Sequence, residues 1–268
     1  MPDAAHPTPA QLYESYFVPA MFAPWAELLV RECGVGPGDQ VLDVACGTGI
    51  VARIAARTVG SAGRVAALDM NKAMLDVARN ADASLPIEWH EGSALQLPFG
   101  DSEFDFVLCQ HGLQFFPDRA KAVSEMRRVL RTGGRAAVLV LQELARHPVF
   151  ERVMGSLAGR LQRPLAEFAV PFALADVEAL RRPFVALFRD VQVGTVSIEA
   201  RFAQPARFVD LAVMSSAAAV PAFAQLATTD RTTLLRDVHD DVDPVLRPFE
   251  QAGELRFPMW GHLLVARA

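Results

Sequence analysis

The sequence predicts an α/β fold: a seven-stranded, mostly parallel sheet with an antiparallel C-terminal edge pair, plus helical cover segments. Three observations carry that expectation. Between residues 40 and 142, short apolar runs alternate with helical patterns of about ten residues, the signature of βαβ units and of a parallel sheet covered on both faces. Beyond residue 188, two more strand patterns occur with no regular crossover between them, which suits an antiparallel pair at one edge. Hydrophobic residues make up 51% and charged residues 21% of the 268 positions, so the chain has the material for a substantial core and is not broadly disordered.

The elements follow in order. Residues 1–39 read as helical packing elements, with Trp25 to Cys33 apolar on one side and stopping at Gly34. Val41 to Ala45 is a buried strand followed by glycines, and Ile50 to Arg57 is a helix with Ile50, Ile54 and Ala55 facing inward. Arg64 to Leu68 is a second strand ending at Asp69. Asn71 to Arg79 is a helix that its own asparagine can cap. Ile87 to His90 and Phe104 to Cys109 are the third and fourth strands. Asp118 to Leu130 is a helix with Val123, Met126 and Leu130 at helical spacing, and Gly133-Gly134 turns the chain into the fifth strand, Arg135 to Leu141.

The second half differs. Residues 143–188 are mainly helical, punctuated by Pro164, Pro171 and Pro183. Val191, Val193, Val196 and Ile198 mark a strand over 189–199, with a phase slip near Gly194 that suggests a bulge. Residues 200–250 return to helical patterning. Leu255, Phe257, Met259, Leu263 and Val265 alternate with period two and give a last strand over 254–266. No internal repeat or low-complexity linker divides the chain, so 1–268 is read as one domain with a 40–142 core and cover segments at 143–188 and 200–250.

Charge, cysteines and hydropathy bound the function. The formal net charge of −5 lacks the basic surplus of a phosphate-gripping protein, so no nucleic-acid partner is expected. Cys33, Cys46 and Cys109 form no CxxC pair, which suits a reducing, cytoplasmic setting. Mean hydropathy is +0.20. The N-terminus has an early Asp3 and no apolar core region, unlike a signal peptide. The stretch Leu211 to Ala227 is broken by two serines, a proline and a glutamine, which argues for a buried helical pair and against a membrane span. Oligomeric state leaves no mark in the sequence.

Open α/β sheets bind ligands beyond the carboxyl ends of their strands. After the first strand, Gly47, Gly49 and Ala52 match GxGxxA, where glycines allow a sharp bend and the next helix presents its amides to a ligand. Asp69 follows the second strand about twenty positions on, where a carboxylate suits ribose hydroxyls. Nicotinamide and S-adenosylmethionine both fit that far. Asp43 discriminates, because a carboxylate beside the turn opposes a pyrophosphate and favours a sulfonium and an ammonium.

With VLDVACGTG, Asp69-Met70, EGSALQLPFGDSEFDFVLCQHGLQFFPD and EMRRVLRTGGRAAV in that order, the chain resembles the class I S-adenosylmethionine-dependent methyltransferases, in the small-molecule branch that includes ubiquinone and menaquinone C-methyltransferases. The resemblance runs from about Val41 to Val140 and implies a Rossmann-like fold. YESYFVPAMFAPWAELLV is similar to that branch's N-terminal helix, which closes over the cofactor, so 1–39 would be a lid. Ala45, Gly47, Thr48 and Gly49 would then cradle the methionine part of S-adenosylmethionine. Asp69 would hold the ribose, Met70 the adenine face, and Ser93 and Ala94 the adenine edge. Gln110 and His111 would reach cofactor and substrate, Tyr16 joins Asp43 in the cofactor set, and Tyr13, Gln114 and His147 belong to the substrate pocket. Two departures stand out: Ala45 replaces a frequent glycine, and Ser93 replaces a frequent aspartate.

His111 is the candidate base, since its ordinary pKa suits proton removal near neutrality; a histidine that merely lines the pocket is the plainer reading. Cys109 reads as a buried thiol, and Trp89 and His90 as strand residues. No HExxH, paired Cys/His cluster or EF-hand loop is present, so no metal is implied. Phe168, Phe172, Phe184, Phe188, Phe202, Phe208 and Phe223 supply core or pocket wall, and no NPPY-like motif occurs. The expected activity is methyl transfer to a small, partly apolar metabolite, on carbon or oxygen, or on nitrogen. An NAD(P)-dependent oxidoreductase and a non-catalytic S-adenosylmethionine-binding protein are the alternatives.

Overall fold

The structure, a computed structural model, describes residues 7–217, 223 and 225–268. Its strands are β1 Gln40–Val44, β2 Arg64–Asp69, β3 Ile87–Glu91, β4 Phe104–Gln110, β5 Leu130–Leu141, β6 Arg189–Phe202, β7 Glu250–Gln251 and β8 Glu254–Arg267. They form one sheet in the order β3-β2-β1-β4-β5-β8-β6, with β7 paired to β8. Strands β1 to β5 are mutually parallel, and β8 runs antiparallel to both β5 and β6. The strand order reverses between β1 and β4, which opens the crevice where such sheets bind ligands.

The sheet therefore has eight strands rather than seven. The additional one, β7, is two residues long and joins β8 through Ala252 and Gly253, at φ 51° and 82°. Two successive positive φ values make the tight turn that matches strand twist. A run this short leaves no periodicity to read in the sequence.

Two cores cover the sheet. On one face, Val41, Val65, Ala67 and Leu139 pack against α2 (Ala23–Cys33), α3 (Ile50–Val59) and α4 (Lys72–Ala81). The same core continues under the cover helices α6 (Pro148–Leu161), α8 (Pro205–Ala217) and α9 (Thr228–Leu246). On the other face, Leu42, Ala66, Val107 and Val138 pack against α5 (Arg119–Val129) and α7 (Val177–Val185). Asn71 caps α4 by accepting from the Ala73 amide at 3.0 Å. Upstream of α2, α1 (Pro9–Leu12) runs into a π-helical stretch, Tyr13–Phe22, which lies across the top of the sheet.

The phase slip in β6 is not a bulge at Gly194. Gly194 pairs in register opposite Leu263, and the ladder is irregular only between Arg189 and Gln192. Val191 and Val193 pack on the α5/α7 face, whereas Val196, Ile198, Ala200 and Phe202 pack on the other. Side chains alternate along a strand, so the slip is the point where the strand changes which face it buries. β6 also extends to Phe202, further than the apolar pattern predicts, because its end carries the cover. There Phe202 meets Phe208 with centroids 4.9 Å apart and stacks on Phe257 at 5.8 Å.

No helix among the described residues is long and apolar enough to cross a membrane. The stretch predicted as a buried helical pair from Leu211 to Ala227 lies partly in α8; residues 218–222 and 224 are outside the described set.

Candidate functional site

A cavity of about 730 Å³ lies at the carboxyl ends of β1, β2 and β4, lined also by the π-helical stretch Tyr13–Phe22 and by α6 and α8. Of the residues singled out in the sequence, Tyr13, Asp43, Ala45, Gly47, Asp69, Met70, Ser93, Ala94, Gln110, His111 and Gln114 line it.

One end is built on the turn after β1. Ala45 and Gly47 sit at φ 58° and 56°. Nothing stands within 4 Å of where a Gly47 Cβ would project, so that space is open to a ligand. Asp69 steadies the turn: its Oδ2 accepts from the Gly47 amide at 2.8 Å and its Oδ1 from the Asn71 amide at 2.8 Å. Each carboxylate oxygen retains a lone pair for hydroxyls. Asp43 is fully buried below. Its Oδ2 accepts from the Ala52 amide at 3.0 Å, while its Oδ1 has no partner among the described residues. Burial pushes the Asp43 carboxyl up to about 7, with the Ala52 bond opposing.

Thr48 and Gly49, expected in the cradle, stand behind it. Thr48 is buried with its hydroxyl unpartnered, and its carbonyl accepts from Arg53 Nη1 at 2.5 Å. Gly49 is pressed against Trp89, where an added Cβ would come within 2.3 Å of the ring. Ala45 also has a price that the sequence reading missed: Gly112 must lack a side chain, because its Cβ would lie 2.7 Å from that of Ala45.

The other end gathers polar atoms that no protein group satisfies. Gln110 donates from Nε2 to the Phe22 carbonyl at 3.0 Å, and Gln114 donates to the His111 carbonyl at 3.0 Å. The Oε1 atoms of both glutamines and both ring nitrogens of His111 are buried without partners among the described residues. Burial lowers the His111 imidazole to about 3, with His147 as the smaller cause, so the ring is neutral over ordinary pH. Phe22 and Trp25 stand edge-on to it at 5.8 and 5.9 Å. Tyr13 stacks on Phe22 at 4.8 Å, and burial holds its phenol protonated well above the usual range.

Two predicted site residues lie elsewhere. Tyr16 turns away from the cavity: its hydroxyl donates to the Gln204 carbonyl at 2.8 Å and its ring packs on Phe202 at 5.3 Å. One helical position separates the two faces of this stretch, and the lid sequence has aromatics on both. His147 joins α6 to β8. Its Nε2 accepts from the Trp260 amide at 3.0 Å and its Nδ1 donates to the Glu143 carbonyl at 3.1 Å. Both nitrogens are thus committed to the backbone. Of the seven phenylalanines offered as core or wall, Phe172 lines the cavity; Phe184 and Phe188 are buried on the opposite sheet face. Phe150, Met154, Met259, Met21 and Leu141 complete the apolar wall. Their helical or strand spacing reads as ordinary core, and only the cover's placement turns them toward a ligand.

The Asp43 carboxyl gives a prediction. The folded site holds it near 7 against 3.8 for an ordinary aspartate, so the folded chain binds that proton more tightly than the unfolded one. Its contribution to stability is complete below pH 3.8 and is lost as pH rises through 7. Asp43→Asn, without ligand, is expected to melt higher than the parent at pH 8 and to lose this part of the pH dependence. Thermal melts from about pH 4 to 8 check it; equal melting temperatures at pH 8 would refute it.

Known proteins resemble the part of the chain that carries this site. Residues 42–138 match the family described as a methyltransferase domain. The chain is 40% identical over 119 residues to the 2-phytyl-1,4-naphtoquinone methyltransferase of Synechococcus elongatus, covering 43% of this chain and 51% of that protein. It is 36% identical over 130 residues to the demethylmenaquinone methyltransferase of Staphylococcus aureus, covering 48% and 54%. The chain thus spans about half the length of these curated relatives. The YcgJ protein of Bacillus subtilis shares the fold over 90% of this chain and 97% of its own, with a TM-score of 0.57 at 18% identity. So does phosphoethanolamine N-methyltransferase 2 of Haemonchus contortus, solved with S-adenosyl-L-methionine, over 91% of this chain and 52% of its own, with a TM-score of 0.52 at 17% identity.

S-adenosylmethionine fits the residues present. The unpartnered Asp43 oxygen suits positive charge, the open space at Gly47 admits close approach, and Asp69 offers free lone pairs to hydroxyls. Met70, 80% exposed at the rim, offers an apolar face to a ring. Residues 42–138, which build this end of the cavity, are similar to the methyltransferase domain family.

Proposed function

We propose that this chain transfers a methyl group from S-adenosylmethionine to a small, partly apolar acceptor bearing O–H groups, with a reduced quinone-type ring as the favoured class. One observation carries the reading: a single cavity joins the Asp43/Asp69 end to a neutral, unpartnered His111 set in an apolar wall. When bound, the cofactor supplies an electrophilic methyl group on a sulfonium. Asp43 and Asp69 hold its charged and hydroxylated parts. Gln110 and Gln114 present amide oxygens, which accept from acceptor hydroxyls. His111 takes the hydroxyl proton as carbon or oxygen attacks the methyl group. The protein's share is alignment and proton removal.

The acceptor class rests on two supports. The unsatisfied glutamine atoms are hydrogen-bond acceptors, which suits an occupant that donates, as a hydroquinone does and a quinone does not. The relatives named above are a 2-phytyl-1,4-naphtoquinone methyltransferase and a demethylmenaquinone methyltransferase. A concave, largely apolar cavity of this size also favours a metabolite over a nucleic acid. The methyltransferase match supports this reading over the oxidoreductase that the GxGxxA spacing also allows.

The test has two stages. Calorimetry should show S-adenosylhomocysteine binding, and NAD or NADP not binding. Labelled S-adenosylmethionine incubated with a panel of hydroquinones, their oxidised quinones and unrelated phenols and amines should then transfer label to the hydroquinones. Binding without transfer to any member of the panel would favour the non-catalytic reading.

A further inference from the structure

Arg53 lies on α3 one turn after Gly49, whose carbonyl accepts from its amide at 2.9 Å. Its side chain is only 6% exposed and is divided between two partners. Nη1 donates to the Thr48 carbonyl, inside the turn after β1, at 2.5 Å; Nη2 pairs with Glu14 Oε1, in the lid, at 2.6 Å. The other Glu14 oxygen is buried without a partner among the described residues. Glu14 directly follows Tyr13, which lines the cavity and stacks on Phe22. The Phe22 carbonyl is in turn held by Gln110 at 3.0 Å. The lid is therefore tied down at two points: to the turn after β1 through Glu14–Arg53, and to the end of β4 through Phe22–Gln110. These are the two strands that flank the ligand crevice.

A buried ion pair with an unsatisfied oxygen is an inefficient way to stabilise a fold, since apolar residues of similar volume often do as well or better. Its value lies in fixing register. Arginine suits the task because its rigid planar fork fixes the directions of a carbonyl and a carboxylate relative to each other, whereas lysine is a point charge with freely rotating donors.

We infer that Arg53 and Glu14 are positioning residues that couple the cofactor turn to the lid, so that filling the turn and closing Tyr13 over the cavity are one event. The inference rests on the proposed binding of S-adenosylmethionine. Neither residue lines the cavity; both act through Thr48 and Tyr13.

The experiment measures S-adenosylhomocysteine affinity by calorimetry, and chymotrypsin cleavage at the aromatic residues of 13–22 with and without that ligand. The chains are the parent, Glu14→Ala, Arg53→Ala, the double variant and Arg53→Lys. The parent is expected to bind and to gain protection in the lid. Glu14→Ala should bind about tenfold more weakly, a typical coupling, and lose the ligand-induced protection. The double variant should lose no more affinity than Arg53→Ala alone, as for residues acting as a unit. Arg53→Lys should fall between Arg53→Ala and the parent. If Glu14→Ala does not fold, Glu14→Gln takes its place with a smaller loss expected. Parent-like affinity and protection in the Glu14 variant, or additive losses in the double variant, overturn the coupling and leave the proposed function standing. A parent chain that does not bind the ligand overturns the proposed function, and the coupling falls with it.

Discussion

His111→Ala is expected to lower turnover by roughly 10²-fold, the lower end of what a positioned acid–base group contributes, with little change in affinity for S-adenosylhomocysteine. The expectation follows from the ring's setting. Both nitrogens are buried and unpartnered in the cavity wall, and burial holds the imidazole at about 3. A ring held neutral is unprotonated from pH 4 upward, though a weaker base than an ordinary histidine, so the rate should show no titration near the ordinary value of about 6.5. Below about 3 the ring protonates and the base is lost. His111 also has a positive φ of 51°. Asparagine tolerates that conformation better than alanine, so His111→Asn separates backbone strain from loss of the base. Steady-state kinetics and calorimetry on both variants decide the matter. Parent-like turnover in His111→Asn would remove the base role.

The second large effect concerns stability. Gly49→Ala is expected to destabilise the fold by roughly 2–5 kcal/mol, combining backbone strain with overpacking. Gly49 sits at φ 84°, and an added Cβ would meet the Trp89 ring at 2.3 and 2.7 Å. Urea unfolding of Gly49→Ala and of Gly49→Ala with Trp89→Ala separates the two causes, since the second change relieves the contact and leaves the strain. Gly47→Ala makes the opposite case. That Cβ would project into open space, so its cost should be near 1 kcal/mol of strain, and ligand affinity should carry the larger loss. Two glycines of one motif thus differ in their surroundings: Gly47 faces open space in the cavity wall and Gly49 makes room for a tryptophan.

That division marks what the sequence can reveal. The parallel half of the sheet is readable because each strand is a short apolar run with a turn residue at its carboxyl end, and strand ends of this fold are where ligands bind. Asp43, Asp69 and His111, singled out by their place at strand ends, and Gln110, singled out by the family resemblance, accordingly line one cavity. Tyr16 and His147 were misplaced for a different reason. Whether a residue on a helix or a loop faces a cavity depends on which neighbour covers its other side, and here Gln204 and Trp260 supply the competing partners from distant segments. The apolar wall was illegible for the same reason: Phe150, Met154 and Met259 have the spacing of core residues. Glu14–Arg53 spans 39 positions, and no local pattern announces such a pair.

The placement of β8 has a consequence for how the chain folds. It inserts between β5 and β6, so Leu139 pairs with Leu263 and Ala200 pairs with Phe257. Until β8 is made, β5 has an unpaired edge, and β6 has no neighbour to hold it to the sheet. During synthesis, the nascent chain therefore exposes a long strand edge and the phenylalanines of the cover, a state prone to mispairing and aggregation. Contacts of such sequence separation also close slowly. Refolding should accordingly be limited by docking of β8, with the β1–β5 half forming first and the apolar wall of the cavity, which includes Met259 of that strand, completed last.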